Sequence, residues 1–322
     1  MNHSKISGTG SYVPEMIVTN EDFTKYIETS DEWISSRTGI KERRYAGDVS
    51  TLDMAYHASL EAIASAGIDQ SLIDLVIVAT VSADNVFPGV SQMLQAKLGL
   101  DPVMAFDINA ACSGFIYAMN IADKMIQSGA YKHALVVGAE ALTRWTDFSD
   151  RNTCVLFGDA AGAMIISKSD EAGLIDVISK AQGDVDDLLI CKNPSPKTLV
   201  NHQAEIQDFI QMDGRNVFKF ATKVLVATVN ELLERNNITL DDIDYIVCHQ
   251  ANERIIDKAS RDLDFPMDKM YLNISRYGNT SAASVPLAID EAIKENIIKV
   301  GDTFMTIAFG GGLTWAGALV KY

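Results

Sequence analysis

The sequence predicts an α/β protein built from two copies of one strand–helix–strand unit. The first sign is a set of wholly apolar, β-branched runs: Leu75-Val-Ile-Val-Ala-Thr80, Ala134-Leu-Val-Val-Gly138 and Phe304-Met-Thr-Ile-Ala-Phe309. Such runs suit strands of a sheet covered on both faces. The second sign is helical spacing between them, as in Phe115, Ala118, Met119, Ala122 and Met125. The third is an internal repeat. Gly67-Ile-Asp-Gln-Ser-Leu-Ile-Asp74-Leu-Val-Ile-Val-Ala79 matches Asn237-Ile-Thr-Leu-Asp-Asp-Ile-Asp244-Tyr-Ile-Val-Cys-His249 at an offset of 170. The same offset lays 134–138 on 304–308, Asn109 on Asn279, Cys112 on Ala282 and Ala118 on Ala288. One offset across three units implies a duplication, with halves at 1–170 and 171–322.

In chain order, residues 1–20 read as a strand and turn with Gly8, Gly10 and Pro14. Gly8-Thr-Gly10 is no dinucleotide loop, because position 13 is valine and no helix follows at once. Ser50 or Thr51 caps a helix to about 66, and His57 reads as a residue of its face. Helical pattern returns at 89–98, and the unit around Cys112 spans 107–128. His133 reads as the start of a strand. Residues 153–167 suggest strand, turn, strand, with Cys154 in the core. Residues 182–211, irregular and holding Cys191 and His202, read as a surface excursion. Helices follow at 214–236, 252–262 and 285–296.

Composition excludes several classes. Hydrophobic content of 48% and charged content of 22% are ordinary for a globular chain. A net charge of -16 argues against nucleic acid or an anionic membrane as partners. Four scattered cysteines, without a CxxC pair, give no disulfide framework and no metal site, which suits a cytoplasmic protein. The start, Met-Asn-His-Ser-Lys, has no signal-peptide character, and no apolar run reaches the ~18 residues of a membrane span.

The stretch Asp107-Ile-Asn-Ala-Ala-Cys112-Ser-Gly-Phe115 places a cysteine between a strand and a helix among small residues. A helix N-terminus favours thiolate, whereas a free thiol has a pKa of about 8.5. The repeat brings His249, Asn279 and Gly310-Gly-Gly312 to corresponding strand ends, where open α/β sheets bind ligands. A Cys/His/Asn set points to acyl chemistry on sulfur. The glycine run and the Cys112 N–H suggest an oxyanion hole.

Four motifs carry a resemblance: Ala111-Cys-Ser-Gly-Phe115, His249-Gln-Ala-Asn252, Tyr277-Gly-Asn-Thr-Ser-Ala-Ala-Ser284 and Phe309-Gly-Gly-Gly-Leu-Thr-Trp315. Together they resemble the 3-oxoacyl-[acyl-carrier-protein] synthase III family of the thiolase superfamily, over essentially the whole chain. That resemblance implies a five-layered αβαβα thiolase-like fold and a homodimer. It implies initiation of type II fatty-acid synthesis with no cofactor, acyl-coenzyme A (CoA) and malonyl-acyl carrier protein being substrates. Cys112 would take a short acyl group, and decarboxylated malonyl-carrier protein would then attack it. His249 Nε2–H and the Asn279 amide would stabilise the malonyl oxyanion as neutral donors. The N–H groups of Cys112 and Gly311 would hold the acyl oxyanion.

The same resemblance implies coenzyme A contacts at Thr29, Trp33, Arg37, Arg151, Gly214 and Asn252, with Phe87 flooring the partner's acyl pocket. Acyl carrier protein would dock on Arg215, Lys219, Gln250, Ala251, Asn252, Glu253, Arg254, Lys258 and Arg261. Cations at Arg254, Lys258 and Arg261, and at Arg215, Lys219 and Lys223, recur at helical spacing, as a basic docking face requires. Two departures, Ala160 where glycine is common and the 183–211 excursion, leave the primer unassigned. Competing readings are a condensing enzyme of secondary metabolism using CoA-linked substrates, a cysteine hydrolase and a non-catalytic carrier. A hydroxymethylglutaryl-coenzyme A synthase would need an acidic residue near the thiol, and none is visible.

Overall fold

The computed structural model describes residues 2–192 and 209–322. Two five-stranded sheets form its frame. The first holds β1 (His3–Tyr12), β2 (Leu75–Ala79), β3 (Met104–Ile108), β4 (His133–Glu140) and β5 (Ala160–Ser169). The second holds β6 (Leu174–Ala181), β7 (Tyr245–Cys248), β8 (Met270–Tyr271), β9 (Thr303–Gly310) and β10 (Thr314–Lys321). Their strand orders, β1-β5-β4-β2-β3 and β6-β10-β9-β7-β8, are the same. In each sheet the three apolar strands run parallel and the outer pair is antiparallel.

The helices sort by face. α1 (Asp31–Thr38) lies beside the site. α2 (Thr51–Ala66) and α3 (Val90–Lys97) cover the outer face of the first sheet. α5 (Gly214–Asn236) and α6 (Glu253–Leu263) cover that of the second. α4 (Gly114–Gln127) and α7 (Ser284–Lys294) lie between the sheets, in one core with both. The result is five layers, αβαβα. Helix ends follow local chemistry. Ser50 Oγ accepts the Asp53 N–H at the start of α2, and Gly67 ends it with φ +63. The complete burial of Leu75–Ala79 follows from helices on both sides.

One local expectation is wrong. Residues 153–157 are not a strand: Arg151–Cys154 is a helical turn, capped by Asp150 accepting the Asn152 N–H. The polar run Asp150-Arg-Asn-Thr supplies that cap, and this overrides the β-branched bias of the residues after it. Cys154 is buried. His57 stacks on Tyr12 at 5.1 Å, as part of the helix face.

Candidate active site

Cys112 follows β3 in a 3-10 turn, Ala111–Ser113, that runs into α4. Ala111 has φ +47, a conformation a small residue tolerates, and Asn109 Oδ1 accepts its N–H at 3.2 Å. Thr314, from the other half, ties the turn down: its hydroxyl donates to Ala110 O at 2.8 Å and accepts from Ser113 Oγ at 2.7 Å. Gly310 packs so closely that a Cβ there would lie 2.6 Å from Cys112 N.

The turn recurs 170 positions on. Ser281 has φ +50, and Asn279 Oδ1 accepts its N–H at 2.9 Å. Because that oxygen is committed to the turn, the Asn279 amide nitrogen is the free donor facing the cavity it lines. His249 leaves the end of β7, buried, edge-on to Phe309 at 5.3 Å. Its Nδ1 lies 2.6 Å from Ser284 Oγ, which also accepts the Gln250 N–H at 3.4 Å. That leaves the hydroxyl hydrogen for Nδ1 and puts the ring proton on Nε2. Burial lowers the imidazole pKa to about 3, so the ring is neutral.

Cys112 is shared by two cavities. One, of about 420 Å³, is walled by Leu142, Trp145, Leu189, Ile190, Ile210 and Gly311. The other is a narrower space of about 90 Å³ holding His249 and Asn279, with Gly214, Phe218, Asn252 and Leu313 along it. The thiol, imidazole and carboxamide therefore meet at one place, and Gly311 lies on the other side of the sulfur. Burial pushes the Cys112 thiol up to about 12.

Arg37 and Arg151 flank Trp33, with guanidinium carbons 4.8 and 4.6 Å from its ring centroid. Arg151 donates to Glu28 O, and Asn252 Nδ2 donates to Arg37 O at 3.0 Å. Thr29 Oγ1 is buried without a partner among the described residues. Phe87 is 85% exposed and lines neither cavity at Cys112.

The expected docking residues divide. Arg215 and Lys219 make no ion pair among the described residues. Arg254 lies 5.8 Å over Phe218. Glu253 and Ala251 are half-buried. One assignment needs correcting. Gln250 is buried: its amide donates to Cys248 O and Tyr271 O and accepts from the N–H groups of Asn273 and Ile274. That side chain is an interior clip. Lys258 and Arg261 are exposed and pair on their own helix with Asp262 and Asp257, at 2.8 and 2.5 Å.

Family models described as 3-oxoacyl-[acyl-carrier-protein] synthase III and its C-terminal domain match residues 106–183 and 233–322. A beta-ketoacyl-[acyl-carrier-protein] synthase III of Clostridium acetobutylicum is 49% identical, over 100% of this chain and 99% of that one. The crystal structure of 3-oxoacyl-[acyl-carrier-protein] synthase III from Aquifex aeolicus superposes with a TM-score of 0.93 at 43% identity, covering 99% and 100%. The priming β-ketosynthase of the R1128 polyketide pathway also superposes at 0.93, with 35% identity and coverage of 99% and 96%. The chain belongs to the 3-oxoacyl-[acyl-carrier-protein] synthase III family. It is an acyltransferase, an initiating condensing enzyme of fatty-acid synthesis with a thiolase-like fold.

Reasoning from sequence missed three groups in this synthase. Ser284, within the Tyr277–Ser284 motif, orients His249. Ser281 lines the larger cavity with Cys112 and donates to a buried acid at 3.0 Å. That acid is Glu140, at the end of β4, so an acidic residue does lie near the thiol. A signal was present: Glu140 ends an otherwise apolar strand and stands 170 positions before Gly310. The excursion also gained a part. Leu189–Ile190 pairs with Gln211–Met212 and walls the larger cavity, where Cys191 also lies. His202 lies outside the described residues.

Proposed function

We propose that Cys112 takes an acyl group from coenzyme A into the larger cavity and that malonyl-acyl carrier protein reacts through the narrower one. The position of one sulfur at the junction of the two cavities carries this reading. His249 Nε2–H and the Asn279 amide are neutral donors for the oxyanion of decarboxylating malonyl thioester. Neither supplies a proton that would quench the carbanion. The N–H groups of Cys112 and Gly311 receive the acyl oxyanion. No resident cofactor is needed.

Trp33 between two arginines suits an adenine with its phosphates. Gly214 and Asn252 line the narrower cavity, and Thr29 stands just before the helix that carries Trp33. The docking surface comprises Arg215, Lys219, Arg254, Lys258 and Arg261, with Ala251, Asn252 and Glu253 at the mouth. A homodimer is supported by the apolar edge strand β3. Its Met104 is 45% exposed, and nearby Val86 and Phe87 are 97% and 85% exposed, whereas the matching strand β8 is buried. Phe87 then serves the partner's pocket. We place the protein in the cytoplasm with the enzymes of fatty-acid synthesis; among the described residues, no helix is long and apolar enough to cross a membrane.

The test is sequential. Intact mass after short acyl-coenzyme A should show one acyl group on Cys112, and malonyl-carrier protein should then remove it with carbon dioxide release. Hydrolysis to free acid without carbon dioxide would overturn the reading. The likeness to a priming polyketide synthase keeps a second reading, in which coenzyme A carries both substrates. Equal turnover with malonyl-coenzyme A would favour it.

A further inference from the structure

Among the described residues, the largest fully buried side chain is a cation, Arg43, in the short strand Glu42–Tyr45. Arginine is seldom buried to this degree without a carboxylate. Here the fork meets neutral oxygens. Nη1 donates to Asn20 Oδ1 at 2.8 Å and to Val18 O at 3.3 Å, and Nη2 donates to Val155 O at 2.6 Å. The guanidinium lies over the Phe23 ring at 4.7 Å, and Nε is buried without a partner among the described residues. Burying a charge in this way is costly, and an apolar side chain of the same volume would cost less. An apolar side chain could not hold two segments at a fixed spacing.

Both ends of this clamp are anchored. Asn20 Nδ2 donates to Asp31 Oδ1 at 2.8 Å and to Ile40 O at 2.7 Å, which ties it to α1 and the residues just after it. Val155, at the other end, opens the segment that carries Asn279. The Asn279 N–H donates to Leu156 O at 2.9 Å, the Gly158 N–H donates to Asn279 O at 3.0 Å, and Phe157 and Asn279 form a parallel bridge. The stem of Arg43 packs against the same bridge. A Cβ on Gly158 would stand 3.1 Å from Arg43 Cβ, and one on Gly278 would stand 3.3 Å from it. The backbone of Asn279 is thus laid on 156–158, and Arg43 supports that segment from its start and from its side. The carboxamide is short, so a shift of the backbone is passed on to its nitrogen.

We propose that Arg43 is a positioning residue for the Asn279 carboxamide. Its fork fixes Val155, the 156–158 segment fixes the Asn279 backbone, and the amide nitrogen then stands where the malonyl oxyanion forms. Acylation of Cys112 uses other donors, the N–H groups of Cys112 and Gly311, and does not depend on the clamp. The inference rests on the reading of Asn279 as a donor in decarboxylation.

Arg43→Met keeps the stem and removes the fork. Hydrogen exchange at the Asn279 and Gly158 N–H groups, read on their peptides, should quicken about tenfold or more. A displacement of about 1 Å can cost ~10² in rate, so carbon dioxide release from malonyl-carrier protein should slow about 10²-fold while Cys112 acylation stays within about threefold. In an Asn279→Ala background the same substitution should slow release by less than about threefold, because the amide it positions is gone. A merely structural role would give the same loss in both backgrounds. Arg43→Lys keeps the charge, but one ammonium does not replace a planar fork, so release should fall about tenfold. That variant decides the matter if Arg43→Met does not fold. Equal slowing of the two half-reactions, an additive loss in the Asn279→Ala background, or wild-type exchange and release in Arg43→Lys overturns the proposal. Unchanged release in Asn279→Ala alone would instead overturn the donor reading of Asn279. Exchange at the bridge needs no substrate and still decides whether Arg43 holds it.

Discussion

Substituting alanine for Gly310 adds one methyl group at the seam between the halves. Its Cβ would stand 2.6 Å from Cys112 N, 3.1 Å from Ala111 Cβ and 3.2 Å from Cys112 Cβ. Ordinary contact begins near 3.4 Å, so the nucleophile turn must retreat by about 0.8 Å. The turn cannot deform freely, because Thr314 and Asn109 hold it. A retreat of that size takes the Cys112 N–H out of reach of an acyl oxyanion, whose donors work at ~2.7–3.1 Å. Losing one such donor costs ~3 kcal/mol, or ~10²–10³ in rate. Overpacking should lower stability by ~1–3 kcal/mol. The assay is the rate of Cys112 acylation by acyl-coenzyme A in single turnover, beside alkylation by iodoacetamide. Acylation should fall by ~10²–10³, whereas alkylation, which builds no oxyanion, should change by less than about fivefold. Acylation within about threefold of wild type, in a folded variant, would refute the assignment of this N–H to the oxyanion hole.

Other expectations follow from the same geometry. Ser284→Ala removes the donor to His249 Nδ1 and lets the ring proton leave Nε2, so carbon dioxide release should slow ~10-fold or more while Cys112 acylation stays near wild type. Thermal unfolding should show the sign of the His249 shift. The folded pKa of about 3 lies below the unfolded value of about 6.5, so the unfolded chain binds the extra proton between them. That contribution is intact above about pH 6.5 and is lost as pH falls, so His249→Gln should gain Tm relative to wild type between about pH 6.5 and 4.5. Reversing Lys219 and Arg254 to Glu should weaken use of malonyl-carrier protein at low salt and leave acyl transfer from coenzyme A unchanged. Equal loss in both half-reactions would exclude that surface.

The offset of 170 and three apolar runs sufficed to read a duplicated α/β chain, because strand burial and helical period are local patterns. The motifs also named Cys112, His249 and Asn279, since nucleophile and donors need particular residue types. What the linear pattern did not carry was orientation. Gln250 stands beside His249 in the chain but turns inward, where four backbone groups needed partners. Lys258 and Arg261 keep helical spacing but meet their own acids one turn away. Glu140 lies 28 residues from Cys112 in the chain and is held by Ser281, a residue of the opposite half that lines the cavity with the sulfur. Local pattern is enough for the repeat, the layers and the reactive side chains. Which strand end faces which turn depends on burial and contact across the seam, and those belong to two distant segments together.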